Sequence, residues 1–280
     1  MSGVYVIAAT RTAIGAFSGT LKDTGAAELG TAVSRSALER AGIPGSSVEE
    51  VIFGNVLSAG LGQNISRQIA VRAGIPQESP AFAVNAVCAS GMKTLQLSYQ
   101  AIAAGEAEVV LAGGVENMNQ APYLARGARF GLRMNDSLLE DSMVKDGLWC
   151  AMGGYHMGIT AENLAEKYGI SRQAQDEFAA ASQQKAARAV ADDEFHEEIT
   201  PVTPVQRKGA VVFQTDEPPR PDTTAAALEK LRPAFRPDGT VTAGNASSIA
   251  DGAAALLLAV DAFVRRHGLR PLAEVLGFAS

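Results

Sequence analysis

The sequence predicts an α/β fold: an alternating β/α domain with a mainly parallel sheet, interrupted by a helix-containing insertion. Three observations point there. Short apolar runs alternate with helix-period segments as far as Gly113-Gly114. From about residue 119 that order gives way to a polar stretch that later becomes rich in proline. The run Ala253-Ala254-Ala255-Leu256-Leu257-Leu258-Ala259-Val260 then restores strand character.

Taken in order, residues 4–9 read as a first strand, with Arg11-Thr12-Ala13-Ile14-Gly15 as the loop after it. Residues 26–41 read as a helix with Leu29, Val33 and Ala37 on one face and Gly42 as its stop. Glu50-Val51-Ile52-Phe53-Gly54-Asn55-Val56 reads as a strand, and Asn64 caps a helix running to about Ala73. Ala81-Phe82-Ala83-Val84 opens the next unit as an apolar run. Met92, Leu95, Tyr99 and Ile102 then recur at helical spacing, and Val109-Val110-Leu111-Ala112 follows as a strand. That order suits a parallel β-α-β crossover and puts Cys88 at its strand-to-helix turn. A thiolate is easier to form at the positive end of a helix. A cysteine buried as a small hydrophobe is the other reading of that position.

Residues 119–158 show no sustained periodicity, as functional or interface-forming segments often do. A short helix capped near Thr160 should reach Tyr168, and Ser171 should cap a longer one through about Val190. Residues 119–246 read as the inserted subdomain. After the apolar run, residues 261–267 form a short helix stopped by Gly268, and residues 272–278 read as a final strand.

Composition narrows the function classes. The 280 residues are 47% hydrophobic and 19% charged with a net charge of −6, and no Lys/Arg cluster argues for nucleic acid or an anionic membrane. No apolar run reaches the ~18 residues of a membrane span. The N-terminus lacks the pattern of a secretory leader. Two cysteines, Cys88 and Cys150, make no disulfide scaffold, so a reducing cytoplasm is expected.

Candidate functional residues each have a plainer reading. His156 lies in Gly153-Gly154-Tyr155-His156-Met157-Gly158, where glycines allow close approach of a ligand, though a lone histidine is commonly structural. His196 sits among Asp192, Asp193, Glu194, Glu197 and Glu198 without metal-ligand spacing, so no metal is expected. His267 suits a helix C-terminus. Arg220 reads equally as a solvated side chain, and Ser247 and Ser248 as residues that hydrogen-bond their own loop. Cys150 beside Trp149 reads as packed. Gly113-Gly114 and Gly153-Gly154 make no dinucleotide fingerprint.

Several stretches together carry a resemblance that covers the whole chain. They are Arg11-Thr12-Ala13-Ile14-Gly15, Val84-Asn85-Ala86-Val87-Cys88-Ala89-Ser90-Gly91 and Ala112-Gly113-Gly114-Val115-Glu116-Asn117-Met118. His156-Met157-Gly158-Ile159-Thr160-Ala161-Glu162-Asn163, Asp216-Glu217-Pro218-Pro219-Arg220 and Thr240-Val241-Thr242-Ala243-Gly244-Asn245-Ala246-Ser247 complete the set. In this order they resemble the thiolase family, the acetyl-CoA acetyltransferases and 3-ketoacyl-CoA thiolases. The resemblance implies a layered αβα fold. Its N-terminal domain would comprise residues 1–118 and 247–270, and an inserted loop domain at 119–246 would bind coenzyme A and make oligomer contacts. Residues 271–280 would begin a C-terminal domain that is largely absent.

The resemblance makes Cys88 the nucleophile, with its backbone N–H helping to hold the oxyanion. It places His156 and Met157 along the pantetheine arm with Ser247 in contact with it, Leu148, Phe235 and Ala243 around the coenzyme, and Arg220 near the adenosine phosphate. Coenzyme A and acetyl-CoA enter as substrates, with no permanently bound cofactor. The implied partners are further copies of the chain, as a dimer or tetramer, or a chain supplying the missing half. An Asn-Glu-Ala-Phe-type motif, a Gly-His-Pro motif and a second cysteine in a glycine-rich loop, which the family uses as activating groups, occur nowhere in these residues. The chain is therefore expected to be a fragment, a truncated product or one half of a split enzyme, and a poor thiolase alone. A catalytically dead acyl-CoA-binding protein and a ketoacyl synthase-like enzyme stay open, the long insertion arguing against the latter.

Overall fold

The computed structural model describes residues 3–206 and 209–279; residues 1, 2, 207, 208 and 280, which fall within the expected domains, lie outside the described residues. The chain forms two compact units, one of Met1–Ala121, Glu198–Thr215 and Ala250–Ser280, the other of Pro122–Glu197 and Asp216–Ile249. Residues 198–215, inside the expected insertion, thus join the first unit. They do so through backbone bonds to the first strand: Arg11 N–H donates to Glu198 O at 2.9 Å, and Thr200 N–H to Arg11 O at 2.7 Å.

The first unit runs β1 (Val4–Arg11), α1 (Ala26–Ala41), β2 (Glu50–Gly54), α2 (Ile65–Arg72), β3 (Ala81–Val84), α3 (Ser90–Ala104) and β4 (Val109–Glu116). The second unit contains the helices α4 (Met157–Tyr168) and α5 (Arg172–Ala191). The chain returns as β5 (Ala250–Val260), α6 (Asp261–Arg266) and β6 (Ala273–Glu274).

The sheet order is β6-β1-β5-β4-β2-β3. β2 pairs in parallel with β3 and β4, as the crossovers require. β5 lies between β1 and β4 and is antiparallel to both, so the sheet is mixed rather than mainly parallel. A strand that returns from a long insertion is free of the crossover constraint that fixes direction in a β-α-β unit. The last expected strand shrinks to Ala273–Glu274 because its partner, β1, begins at Val4, whose carbonyl accepts from Val275 N–H.

Side-chain alternation builds a core on each face of the sheet. Val51 and Phe53 of β2, Leu111 of β4 and Leu257 of β5 face Leu29, Val33 and Ala37 of α1 and Ile69 of α2. Ile52, Val110, Ala112 and Leu258 face Ala101 and Ile102 of α3. Each fully buried Leu, Val or Ile stabilises this αβα layering by about 1.5–3 kcal/mol. Gly42 closes α1 in the left-handed conformation, φ 65°, and Asn64 caps α2 by accepting from Arg67 N–H.

In the second unit Ser171 caps α5 by accepting from Ala174 N–H. α4 begins earlier than Thr160, because His156 acts as its cap. The stretch without periodicity forms two short antiparallel pairs, Tyr123–Ala125 with Leu139–Asp141 and Trp149–Cys150 with Tyr155–His156. No helix among the described residues is long and apolar enough to cross a membrane.

Glu162 on α4 is a buried polar anchor of this unit, at 1% exposure. Its carboxylate accepts from Thr240 N–H at 2.9 Å, Val241 N–H at 2.8 Å and Thr240 Oγ1–H at 3.0 Å. Burial by itself would raise its pKa. The Thr240 and Val241 hydrogen bonds and the nearby Arg236 outweigh burial and hold it below the ordinary value of 4.5. The folded state therefore binds this proton more weakly than the unfolded chain. Its contribution is fully present above about pH 4.5 and is lost as pH falls through the lowered folded value. Glu162→Gln is expected to lower the melting temperature at neutral pH and to flatten its fall between pH 5 and pH 3. An unchanged acid slope in melts across that range would contradict this role.

Candidate functional site

β3 leads into α3 through residues 85–89, and this turn is closed by its own polar groups. Asn85 Oδ1 accepts from Val87 N–H at 2.9 Å. Ser90 Oγ accepts from Ala86 N–H at 2.9 Å and donates to Val87 O at 2.6 Å. Together they hold Val87 at φ 52°. A β-branched residue there costs on the order of 1–3 kcal/mol, a strain that gathers at functional sites. Cys88 follows directly, exposed and reduced, one residue before the Ala89 cap of α3. The plainer reading of Cys88 as a buried hydrophobe is thereby excluded.

Glycine brings α3 hard against the sheet. A Cβ on Gly54 would meet Ser90 C at 2.7 Å and Gly91 N at 2.8 Å. Thr94, fully buried, donates its hydroxyl to Gly113 O at 3.1 Å. The thiol therefore sits over the C-terminal ends of β2 and β4, where open α/β sheets commonly form their ligand crevices.

Cys88 lines a cavity of about 350 Å³ with Arg11, Asn55, Glu116 and Asp251 among its walls. Glu116, at the end of β4, collects three donors: Asn55 Nδ2 at 2.9 Å, Val56 N–H at 2.8 Å and Leu57 N–H at 3.1 Å. Burial pushes its carboxyl above the ordinary value of 4.5, and the charge of Asp251 acts the same way, against the Val56, Leu57 and Asn55 hydrogen bonds. Asp251, at 1% exposure, accepts from Met118 N–H at 2.7 Å. Neither carboxylate was singled out from the sequence. The signal available was a charged residue at the end of an otherwise apolar strand run.

The other expected residues lie in the second unit. His156 Nδ1 accepts from Gly158 N–H at 3.0 Å, which directs its ring. That ring stacks on Phe235 with centroids 4.9 Å apart and planes 22° from parallel. A Cβ on Gly158 would fall 2.3 Å from the Phe235 ring, so a glycine is needed at this contact. Met157 is exposed beside them. Leu148, half-buried, precedes the Trp149–His156 pairing.

The backbone of 233–235 runs beside 241–242, with Pro233 opposite Thr242 and Ala234 N–H donating to Val241 O at 2.9 Å. That places Ala243, which is exposed, close in the chain to this pairing. Ser247 is exposed at the end of the turn that Thr242 and Asn245 close. Arg220 stands apart: its side chain is exposed and its N–H donates to Gln183 Oε1 of α5 at 2.7 Å. No group of three His, Cys, Asp or Glu side chains among the described residues could hold a metal ion.

A family model described as thiolase, N-terminal domain, matches residues 4–262. The chain is 57% identical over 281 residues to an acetyl-CoA acetyltransferase of Pseudomonas aeruginosa, covering 100% of this chain and 72% of that protein. It is 51% identical to an acetyl-CoA acetyltransferase of Escherichia coli K12, covering 100% of this chain and 71% of that one. A probable acetyl-CoA acyltransferase of Staphylococcus aureus strain COL is 50% identical, with coverage of 100% and 72%.

Proposed function

The chain belongs to the thiolase family, and from that premise we propose that it accepts an acyl group from a coenzyme A thioester on Cys88. The observation that carries this reading is an exposed cysteine on a strained turn, at the mouth of α3 and facing a cavity. The Cys88 thiolate attacks the thioester carbonyl, a new C–S bond forms, and the C–S bond to coenzyme A breaks. Both leaving group and nucleophile are thiolates, so the exchange needs little driving force. The positive end of the α3 dipole favours the attacking anion, and the Cys88 N–H is offered to the developing oxyanion.

The coenzyme is held by residues of the second unit. His156, Met157 and Ser247 flank the pantetheine arm, Leu148, Phe235 and Ala243 pack around it, and Arg220 meets an adenosine phosphate. The His156–Phe235 stack supports this, because it gives the unit a rigid, partly exposed apolar face. Acetyl-CoA, which the names of the similar proteins print, and acetoacetyl-CoA are the proposed thioesters.

These residues offer Cys88 but no Gly-His-Pro motif and no second cysteine in a glycine-rich loop. General acid and base groups are each worth about 10²–10⁴ in rate. Thiolysis of acetoacetyl-CoA by this chain alone is therefore expected to be at least ~10²-fold slower than by a full-length relative. The acyl acceptance step should remain. Thiolysis at the relative's rate, followed by loss of the enolate absorbance, would contradict that division. Binding of acetyl-CoA with no acylation at all would favour a catalytically dead acyl-CoA-binding protein instead.

A further inference from the structure

We propose that Glu116 is a positioning residue for Cys88, its carboxylate fixing the 55–57 turn against which the Cys88 turn is built. The proposal rests on the reading of Cys88 as the acyl acceptor, and its test separates the two. Glu116 ends β4, while the 55–57 turn leaves the neighbouring strand β2. Three N–H groups of that turn converge on the one carboxylate. The turn passes the constraint on: Asn55 N–H donates to Val84 O at 3.1 Å at the end of β3, and Val56 O accepts from Asn85 Nδ2 at 3.4 Å. Asn85 in turn holds Val87 through its Oδ1. The strained φ of Val87 thus lies at the end of a chain of hydrogen bonds that begins at Glu116.

The orientation of Asn55 agrees. Its Nδ2 faces two acceptors, Val115 O at 3.0 Å and Glu116 Oε1 at 2.9 Å, so its amide cannot be turned over.

The test compares Glu116→Gln with the unchanged chain. The substituted side chain offers one acceptor oxygen and an NH₂ group that meets N–H donors, so at least one of the three is left unpaired. Alkylation by iodoacetamide is followed separately at Cys88 and Cys150 by peptide mapping. Cys150, in the other unit, reports any general loosening. The variant should alkylate Cys88 about tenfold more slowly and accept acetyl from acetyl-CoA about 10–100-fold more slowly, as small misplacements of reacting groups do. Cys150 should be unchanged, as should the acetyl-CoA concentration giving half the limiting rate.

The difference should narrow as pH falls through the raised Glu116 value, because protonation removes the same acceptor from the unchanged chain. The titratable and charged groups that line the cavity together with Glu116 are Asp251 on β5, Arg11 on β1 and Cys88. Asn55→Ala removes one donor and should give a smaller slowing, which keeps the test usable if Glu116→Gln does not fold. Equal rates at Cys88 in folded variant and unchanged chain would overturn the proposal, as would equal changes at Cys88 and Cys150. Slowed alkylation in a chain that takes no acetyl group would leave the positioning role standing and overturn the acyl-acceptor reading.

Discussion

Gly54→Ala is expected to destabilise the first unit by about 3 kcal/mol, since its methyl group would meet the backbone of Ser90 and Gly91 at 2.7–2.8 Å. In a melt followed by circular dichroism this is a fall of roughly 6–12 °C. Side chains can rotate away from a clash, but here the obstacle is the first turn of α3, tied to the sheet by Thr94. Relief therefore moves the helix, and Cys88 with it. Gly91→Ala, on the other side of the same contact, is the control. A Cβ at Gly91 meets nothing within 4 Å, and alanine is the better helix former by about 1 kcal/mol. Loss of stability in Gly91→Ala but not in Gly54→Ala would mean that the helix does not sit on β2 as described.

Cys88→Ser is expected to reduce acyl transfer from acetyl-CoA by at least ~10⁴-fold, the scale of losing a nucleophile. Its melting temperature should stay within the equivalent of ~0.5 kcal/mol, because the side chain is exposed and packs against little. The pairing of these two results matters. A large drop in both would make Cys88 a structural residue, and retention of acyl transfer would move the chemistry elsewhere, with Cys150 as the other thiol.

Much of the architecture was legible because local chemistry and global fold agree. Asn64, Ser171 and Gly42 mark helix ends by side-chain or left-handed capping, which a sequence carries openly. The direction of β5 was not legible. Its apolar run fits a buried strand of either direction, and only pairing with Val109–Glu116 and Val4–Arg11 decides. The start of α4 was missed because histidine is not an expected cap, and its role needs the ring held by Gly158 and Phe235.

At the candidate site, Cys88 was visible as a thiol at a strand-to-helix turn. Glu116 was not, because its importance comes from three donors that lie some 60 residues earlier in the chain. Neither were the strain at Val87, which the Asn85 and Ser90 side chains impose on a turn that no residue type advertises, and the burial of Asp251, which exists only in the assembled fold.

The most direct measurement is the mass of the chain after incubation with acetyl-CoA, followed by peptide mapping of any adduct. One acetyl group is expected, on Cys88, carried as a thioester that hydroxylamine removes and absent from Cys88→Ser. No adduct, or an adduct confined to Cys150, would contradict it.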